Sequence, residues 1–128
     1  MDDKVKKLLN KLADEKFEYG KNDCFTYTAR LVHTYHGIDY RHAHKYQGEK
    51  QALAYMAQHG GIEAMITGTL GYPLKSPLDC QDGDVVTAEV SKDQIALGFV
   101  YNDRANFKTE KRAVAVPLKR CRTGWRVK

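Results

Sequence analysis

The feature that most constrains the fold of this chain is a change in hydrophobic periodicity near Pro73. Before that residue, apolar side chains recur at the spacing of amphipathic helices, whereas after it they form short β-branched and aromatic runs separated by turn residues. The three prolines of the chain also lie in its second half. Helices followed by strands are typical of an α+β domain, in which N-terminal helices pack on a C-terminal antiparallel β-sheet.

Helices are predicted over most of the first half. The predicted helices span about residues 3–13, 24–36, 49–59 and 62–70. The second is the best defined, because Asn22 can cap its start and Gly37 can end it. The residues between Ile38 and Gly48 have no clean period and are expected to form a polar and aromatic loop.

Strands are predicted in the second half, where the apolar runs are short. These runs span residues 85–86, 95–101, 113–116 and 125–127. A chain of 128 residues without repeats or a linker predicts one domain. Its helical half would cover about residues 1–72 and its strand half about residues 83–128.

The composition excludes several classes of protein. The longest uncharged run contains Gln, His and Gly, so no membrane-spanning helix is expected, and the charged N-terminus does not resemble a signal peptide. We therefore expect synthesis in a cytoplasm and no membrane partner. The widely spaced Cys24, Cys80 and Cys121 predict reduced thiols rather than a disulfide framework or a zinc ribbon. His33, His36, His42 and His44 do not follow a recognised metal-ligand spacing, so no metal or cofactor is predicted.

The net charge of +5 is unevenly distributed. Residues 104–128 contain nine lysines and arginines against one acidic residue, a net charge of +8, whereas residues 1–103 have a net charge of −3. Candidate binding residues in this segment are Arg120, Arg122 and Arg126. The segment is either a solvated face of basic strands or a surface for an acidic protein, an anionic cell-wall polymer or nucleic acid. Nucleic acid is the least expected of these partners, because no known recognition motif accompanies the charge.

Cys24 is the candidate catalytic residue. It lies in the first turn of the second predicted helix, where free backbone N–H groups and the helix dipole favour a thiolate. The alternative is a structural role, because free cysteine is among the most frequently buried residue types.

An ordered set of short motifs along the chain resembles a known family. The motifs are Tyr19-Gly20-Lys-Asn-Asp23-Cys24, Gly37-Ile-Asp39, Tyr46, Gly60-Gly61, Gly83-Asp84-Val85, Leu97-Gly98 and Trp125-Arg126-Val127. Together they resemble the NlpC family of papain-like cell-wall cysteine peptidases. They are most similar to a branch of that superfamily found in tailed phages and prophages, often among tail genes.

This resemblance implies a papain-like (NlpC-like) α+β fold, with Cys24 as the nucleophile that attacks an amide and Asp23 as its motif neighbour. It also implies a catalytic histidine at the start of the strand after the Gly83-Asp84 strand, around residues 94–97. The sequence has no histidine there. His33 and His36 lie on the same predicted helix as Cys24, roughly 14 and 18 Å further along its axis at 1.5 Å per residue. Neither can take a proton from the thiol.

Two functions follow as alternatives. The first is a phage or prophage virion-associated protein, of the tail, whose degenerate papain-like site acts mainly by binding. Its partners would be other virion or tail proteins, with peptidoglycan as a further candidate, and it would enter the virion after synthesis in the bacterial host cytoplasm. The second is a cysteine amide hydrolase, a peptidoglycan endopeptidase or amidase. If the fold is papain-like, Cys24 should face the strand that contains Leu97 and Gly98. Because the expected histidine is absent, no imidazole nitrogen should lie within about 4 Å of the Cys24 sulfur, and finding His42, His44 or His59 there would favour the hydrolase.

Overall fold

A computed structural model describes residues 2–127, and within them the chain forms four α-helices and five β-strands. The helices are α1 (Asp2–Asp14), α2 (Cys24–His36), α3 (Gly48–Gln58) and α4 (Ile62–Leu70). The strands are β1 (Val85–Ser91), β2 (Gln94–Tyr101), β3 (Arg104–Lys108), β4 (Ala113–Pro117) and β5 (Thr123–Trp125). The α+β arrangement predicted from the change in periodicity is confirmed. Within the same residues, no helix is long and apolar enough to cross a bilayer.

The five strands form one antiparallel sheet with the order β4-β3-β2-β1-β5. The first four form a meander, and β5 returns to pair with β1 at the opposite edge. Asn102 and Asp103, with φ of 57° and 63°, form the turn between β2 and β3. Positive φ at both residues of a two-residue loop gives a turn whose twist matches that of the flanking strands.

The two faces of the sheet carry separate hydrophobic clusters. On one face, Leu97, Phe99 and Trp125 pack with residues of the helices, including Leu31 of α2. On the other face, a second cluster packs against side chains of β4, against connecting residues such as Cys80 and Cys121, and against Cys24 at the start of α2. Its buried members are Val86, Ala88, Ala96, Val100, Ala105 and Phe107. The sheet is therefore buried on both faces, although the helices cover one.

The residue that caps the start of α2 differs by one position from the sequence prediction, although the helix itself spans Cys24–His36 as predicted. Asp23, not Asn22, is the N-cap, because its extended backbone lets its carboxylate accept a hydrogen bond from the Thr26 N–H. Asn22 instead directs its side-chain amide at the end of α1, where it donates to the Leu12 and Glu15 carbonyls at 3.3 Å. Asn and Asp are equally good caps, so adjacent residues of these types do not define the boundary by themselves.

The last strand is also displaced from its predicted position. It covers Thr123–Trp125 rather than residues 125–127, and Val127 leaves the ladder to donate its N–H to Asp84 at 3.3 Å. The apolar side chains of Trp125 and Val127 are buried all the same. The apolar residues of 125–127 therefore predicted a strand at a place where the backbone leaves the sheet and Val127 donates to a carboxylate.

Candidate functional site

Cys24 is the first residue of α2, and it faces the sheet as predicted. It packs against both hydrophobic clusters and is hydrogen-bonded to the backbone of Leu97 in β2. Thr28, one turn further along α2, donates its hydroxyl to the Leu97 carbonyl at 3.3 Å and fixes the helix over this strand.

The Cys24 thiol is not activated by its position at the helix start. Burial raises its pKa to about 12, and hydrogen bonds from the backbone of Leu97 and Phe25 offset only part of that effect. Cys24 as a residue is only partly buried, so a small molecule can approach it from one side. Desolvation outweighs the helix dipole here, and the thiol is protonated at neutral pH.

The accessible side of Cys24 opens into a groove of about 440 Å³, which we call the Cys24 groove. Its walls are mainly apolar, with Phe17, Tyr19, Leu53, Met56, Ile62 and Ile95 among the lining residues. A hydrogen bond of 3.0 Å from the Tyr19 hydroxyl to Glu110 ties one wall to the turn between β3 and β4. The Cys24 groove is thus a mainly apolar cleft beside the Cys24 thiol, with one wall held by a hydrogen bond.

The start of β2 forms part of this groove, and it is the segment where the NlpC-like resemblance implies a catalytic histidine. Gln94, Ile95 and Ala96 line the groove at that point. Ala96 is 4 % exposed and packs in the second cluster with Cys24. In the described part of the chain, no histidine lines the Cys24 groove.

The histidines of the chain have other neighbours. His33 lies 3.5 Å from Arg41, and His42 lies 3.8 Å from Asp39. His36 lies 2.8 Å from the Gly83 carbonyl. His44 lies 2.6 Å from the Tyr55 hydroxyl and 2.7 Å from the Thr69 hydroxyl, and the tilted ring of His59 contacts that of Tyr55 with centroids 4.4 Å apart. Among residues 2–127, no imidazole forms a hydrogen bond with Cys24. The thiol therefore has no base of the kind that activates a cysteine nucleophile.

Asp23 is fully engaged in structural hydrogen bonds. One carboxylate oxygen accepts from the Thr26 N–H at 2.8 Å and from its hydroxyl at 3.0 Å. The other accepts from the Gly20 N–H at 2.8 Å and from the Tyr46 hydroxyl at 2.7 Å. Burial, together with the nearby Asp23 charge, raises the pKa of Tyr46, which keeps that donor protonated. Asp23 holds the walls around Cys24 in place.

Two further titratable side chains at the groove are also held by neighbouring groups. Lys108 is buried, and its ammonium donates to the Ala13 and Glu15 carbonyls at 2.9 and 2.6 Å, at the end of α1. A cation there interacts favourably with the helix dipole. Glu63 accepts hydrogen bonds from the hydroxyls of Thr87 and Thr123 at 2.6 and 3.0 Å. Both groups stabilise the walls of the groove.

Asp39 is occupied by a guanidinium rather than positioned for a metal ion. The hydrogen-bonded Arg41 side chain, 2.6 Å away, lowers the pKa of Asp39 well below its usual range. His33 and His42 lie near this ion pair, while His36 and His44 contact other elements. Within residues 2–127, no group of three or more His, Cys, Asp or Glu side chains is placed to bind a metal ion.

The three basic candidates do not form one free surface. Arg126 donates from Nε to the buried Asp84 carboxylate at 3.1 Å and from its terminal nitrogen to the Asp79 carbonyl at 2.9 Å. Arg122 lies 3.4 Å from Glu63. Arg120 is exposed. Two of the three arginines therefore serve first as structural ion-pair partners.

A family model matches residues 1–127, nearly the whole chain. The chain belongs to the family described as Domain of unknown function (DUF6950). The comparison with curated proteins gives no match.

The DUF6950 domain has a second surface depression that the sequence did not predict, which we call the cationic groove. Its volume is about 1010 Å³, and its basic lining residues are Lys21, Arg30, Arg41, His42, His44 and Lys45. Tyr19 and Tyr46 line both this groove and the Cys24 groove, so the two depressions meet at these side chains. The only local signal in the sequence is the basic run from Arg41 to Lys45, because the other members come from distant segments.

Proposed function

We propose that this DUF6950 domain is a papain-like (NlpC-like) domain that acts by binding rather than by hydrolysis, as a component of a phage or prophage virion, in its tail. The observation that carries the binding role is the environment of Cys24. Burial raises the pKa of the Cys24 thiol to about 12, so the thiol is protonated at neutral pH, and its neighbours in β2 are Gln94, Ile95 and Ala96 rather than a histidine. A cysteine hydrolase needs a thiolate and a proton-accepting partner, and among residues 2–127 no imidazole is hydrogen-bonded to the protonated Cys24 thiol.

The papain-like assignment is supported by the placement of Cys24. A cysteine in the first turn of a helix that packs against the central strands of an antiparallel sheet is the arrangement that the resemblance implies. The start of β2 lies beside the thiol at the place expected for the catalytic histidine, although its residues are Gln94, Ile95 and Ala96. On this proposal, the domain has lost the catalytic histidine of the papain-like fold but has kept the groove beside the cysteine.

A binding role is supported by the fixed shape of the Cys24 groove. The Asp23–Tyr46 and Tyr19–Glu110 hydrogen bonds hold its walls. Its apolar lining suits a side chain of an extended polypeptide segment, because pre-formed apolar clefts with a few polar groups are typical binding sites. Partners among virion or tail proteins fit the phage branch that the motifs resemble, and peptidoglycan remains the other candidate ligand.

Hydrolysis is tested with purified protein and bacterial sacculi, by mass spectrometry of the released peptides and amino sugars. We expect the wild type, Cys24→Ala and Cys121→Ala to release no more product than buffer does. Cys121 is a matched thiol that does not line the Cys24 groove. Release by the wild type and Cys121→Ala that disappears in Cys24→Ala would establish the hydrolase alternative and overturn the binding role.

The virion assignment is tested on particles of the phage or prophage that encodes the chain. Particles purified by density gradient should contain the protein in a fixed ratio to the major tail proteins, as measured by quantitative mass spectrometry. Its absence from infectious particles would contradict the assignment, whatever the outcome of the hydrolysis test.

A further inference from the structure

The two grooves differ in chemistry and adjoin each other. The Cys24 groove is mainly apolar, whereas the cationic groove is bordered by charged side chains of the α1–α2 loop, of α2 and of residues 41–45. Tyr19 and Tyr46 belong to both, and their positions are fixed by hydrogen bonds to Glu110 and Asp23. A ligand that lies across these two tyrosines would contact both environments.

The charge of the cationic groove is concentrated in residues that can accept a new partner. Lys45 is exposed and forms no ion pair in the described part of the chain. Lys21 is 76 % exposed and lies 3.5 Å from Glu18, the only acidic side chain that lines this groove within residues 2–127. An exposed ion pair of this kind is weak because water screens both charges, so an incoming carboxylate can compete for Lys21.

The lining favours carboxylates of a polypeptide over the phosphates of a nucleic acid. Nucleic-acid affinity comes from a row of cations that neutralise successive phosphates. In this groove, Arg41 is committed to Asp39 at 2.6 Å, and Arg30 lies 3.6 Å from Glu15. Side-chain amides of Gln47 and Gln51 complete the lining and suit a peptide backbone. The adjoining apolar cleft also fits an aliphatic side chain, which nucleic acids lack.

We propose that the two grooves form a single site for an extended acidic segment of a partner protein. An apolar side chain of the segment lies beside Cys24, and Asp or Glu residues next to it pair with Lys21 and Lys45. This inference rests on the proposed binding function and adds the chemistry of the partner. It places the acidic partner at the Cys24 end of α2 and not on the C-terminal arginines.

The test uses fluorescein-labelled peptides and fluorescence anisotropy. The acidic probe has two central leucines flanked on each side by four glutamates, so that either chain direction is sampled. The neutral probe has glutamine at the same positions. We expect the full-length protein to bind the acidic probe at least about tenfold more tightly than the neutral one, with the difference reduced by added salt.

Charge-reversal variants separate local pairing from net charge. Lys21→Glu/Lys45→Glu should weaken binding of the acidic probe at least about tenfold. The matched control, Lys6→Glu/Lys119→Glu, changes the net charge equally at exposed residues outside both grooves, and it should weaken binding by less than about twofold. Equal loss in the two double variants, or no loss in the first, would overturn the assignment.

Two further arms complete the test. A labelled single-stranded oligonucleotide of the same length should bind more weakly than the acidic peptide, and tighter binding with the same sensitivity to Lys21→Glu/Lys45→Glu would assign the groove to nucleic acid instead. Leu53→Gln, at a groove position that is 59 % exposed, should weaken both peptides. If the acidic and neutral probes bind with equal affinity and both are weakened by Leu53→Gln, the inference of an acidic partner is overturned, whereas the proposed binding function of the groove is supported. If the acidic probe does not bind at about 1 mM, the inference is overturned.

Discussion

The hydroxyl of Tyr46 donates a hydrogen bond of 2.7 Å to the buried carboxylate of Asp23, 23 residues earlier in the chain. This contact joins the segment before α3 to the first turn of α2. It also lies where the Cys24 groove and the cationic groove adjoin, since Tyr46 lines both. One side-chain pair thus caps a helix, fixes a loop and shapes two adjoining depressions.

Tyr46→Phe should destabilise the protein by about 1–3 kcal/mol, because it removes one donor from a buried carboxylate without creating a large cavity. The free energy of unfolding from urea titration measures the effect. Tyr72→Phe is the matched control, since Tyr72 is 94 % exposed and its variant should stay within about 0.5 kcal/mol of the wild type. Equal stability of Tyr46→Phe and the wild type would show that the carboxylate does not need this donor.

Much of the architecture could be predicted because the two hydrophobic periods are distinct. Helical spacing locates α2 and α3, and the strand runs locate β2 and β4 to within one residue and the start of β1, whereas β3 was not predicted. The position of Cys24 opposite Leu97 also followed from the ordered motifs. The predicted cap of α2 was wrong, because Asn22 and the adjacent Asp23 are equally suitable for that role.

The site was harder to predict, because its character depends on contacts between distant segments. The raised pKa of Cys24 results from burial, which a position in a helix does not reveal. The cationic groove combines Lys21, Arg30 and Lys45, which share no spacing pattern. Arg126 was expected to be a surface charge, but its guanidinium donates a hydrogen bond to the carboxylate of Asp84, 42 residues earlier in the chain.

Arg126→Ala should destabilise the protein by about 1–3 kcal/mol, since it leaves the Asp84 carboxylate without its cation. The Asp84 side chain is 2 % exposed and that of Arg126 is 37 % exposed, so solvent screens part of the interaction. Arg120→Ala, at an exposed position, should change stability by less than about 0.5 kcal/mol. Thermal and urea unfolding measure both. A virion-docking test that reverses all three arginines would therefore confuse unfolding with loss of contact, and Arg120 alone is the usable surface probe.

Gly98→Ala should destabilise the sheet, because a Cβ at this position would lie 2.6 Å from the Phe107 ring and 2.8 Å from the Asn106 carbonyl oxygen. Overpacking of this kind costs about 1–3 kcal/mol. Gly68→Ala is the matched control, since a Cβ there meets nothing within 4 Å in the interior of α4. That variant should gain about 0.5–1 kcal/mol from helix propensity. Adding Phe107→Leu to Gly98→Ala should recover part of the lost free energy of unfolding. Equal free energies of unfolding for Gly98→Ala and Gly68→Ala would exclude close packing at Gly98.

Stability should decline at alkaline pH. Burial raises the pKa of Cys24 and Cys80 to about 12 and that of Cys121 to about 11. The folded state then holds these protons more tightly than the unfolded chain. The stabilisation is complete below the unfolded pKa and is lost as pH rises towards the folded pKa. Urea midpoints measured from about pH 8 to about pH 10.5 should fall, and Cys24→Ala should fall less steeply than the wild type. Parallel pH profiles for the two proteins would contradict the raised pKa of this thiol.

Alkylation of Cys24 by iodoacetamide should be slow at neutral pH and should accelerate about tenfold per pH unit up to at least pH 10, because the reactive thiolate is scarce throughout that range. At pH 7 the rate should be at least about a thousandfold below that of glutathione, before any steric protection is counted. Peptide mapping by mass spectrometry assigns the label to Cys24 separately from Cys80 and Cys121, and the urea-unfolded protein supplies the rate of an unprotected thiol. A rate that is fast at pH 7 and retained at pH 6 would instead reveal a thiolate, and would restore Cys24 as a nucleophile.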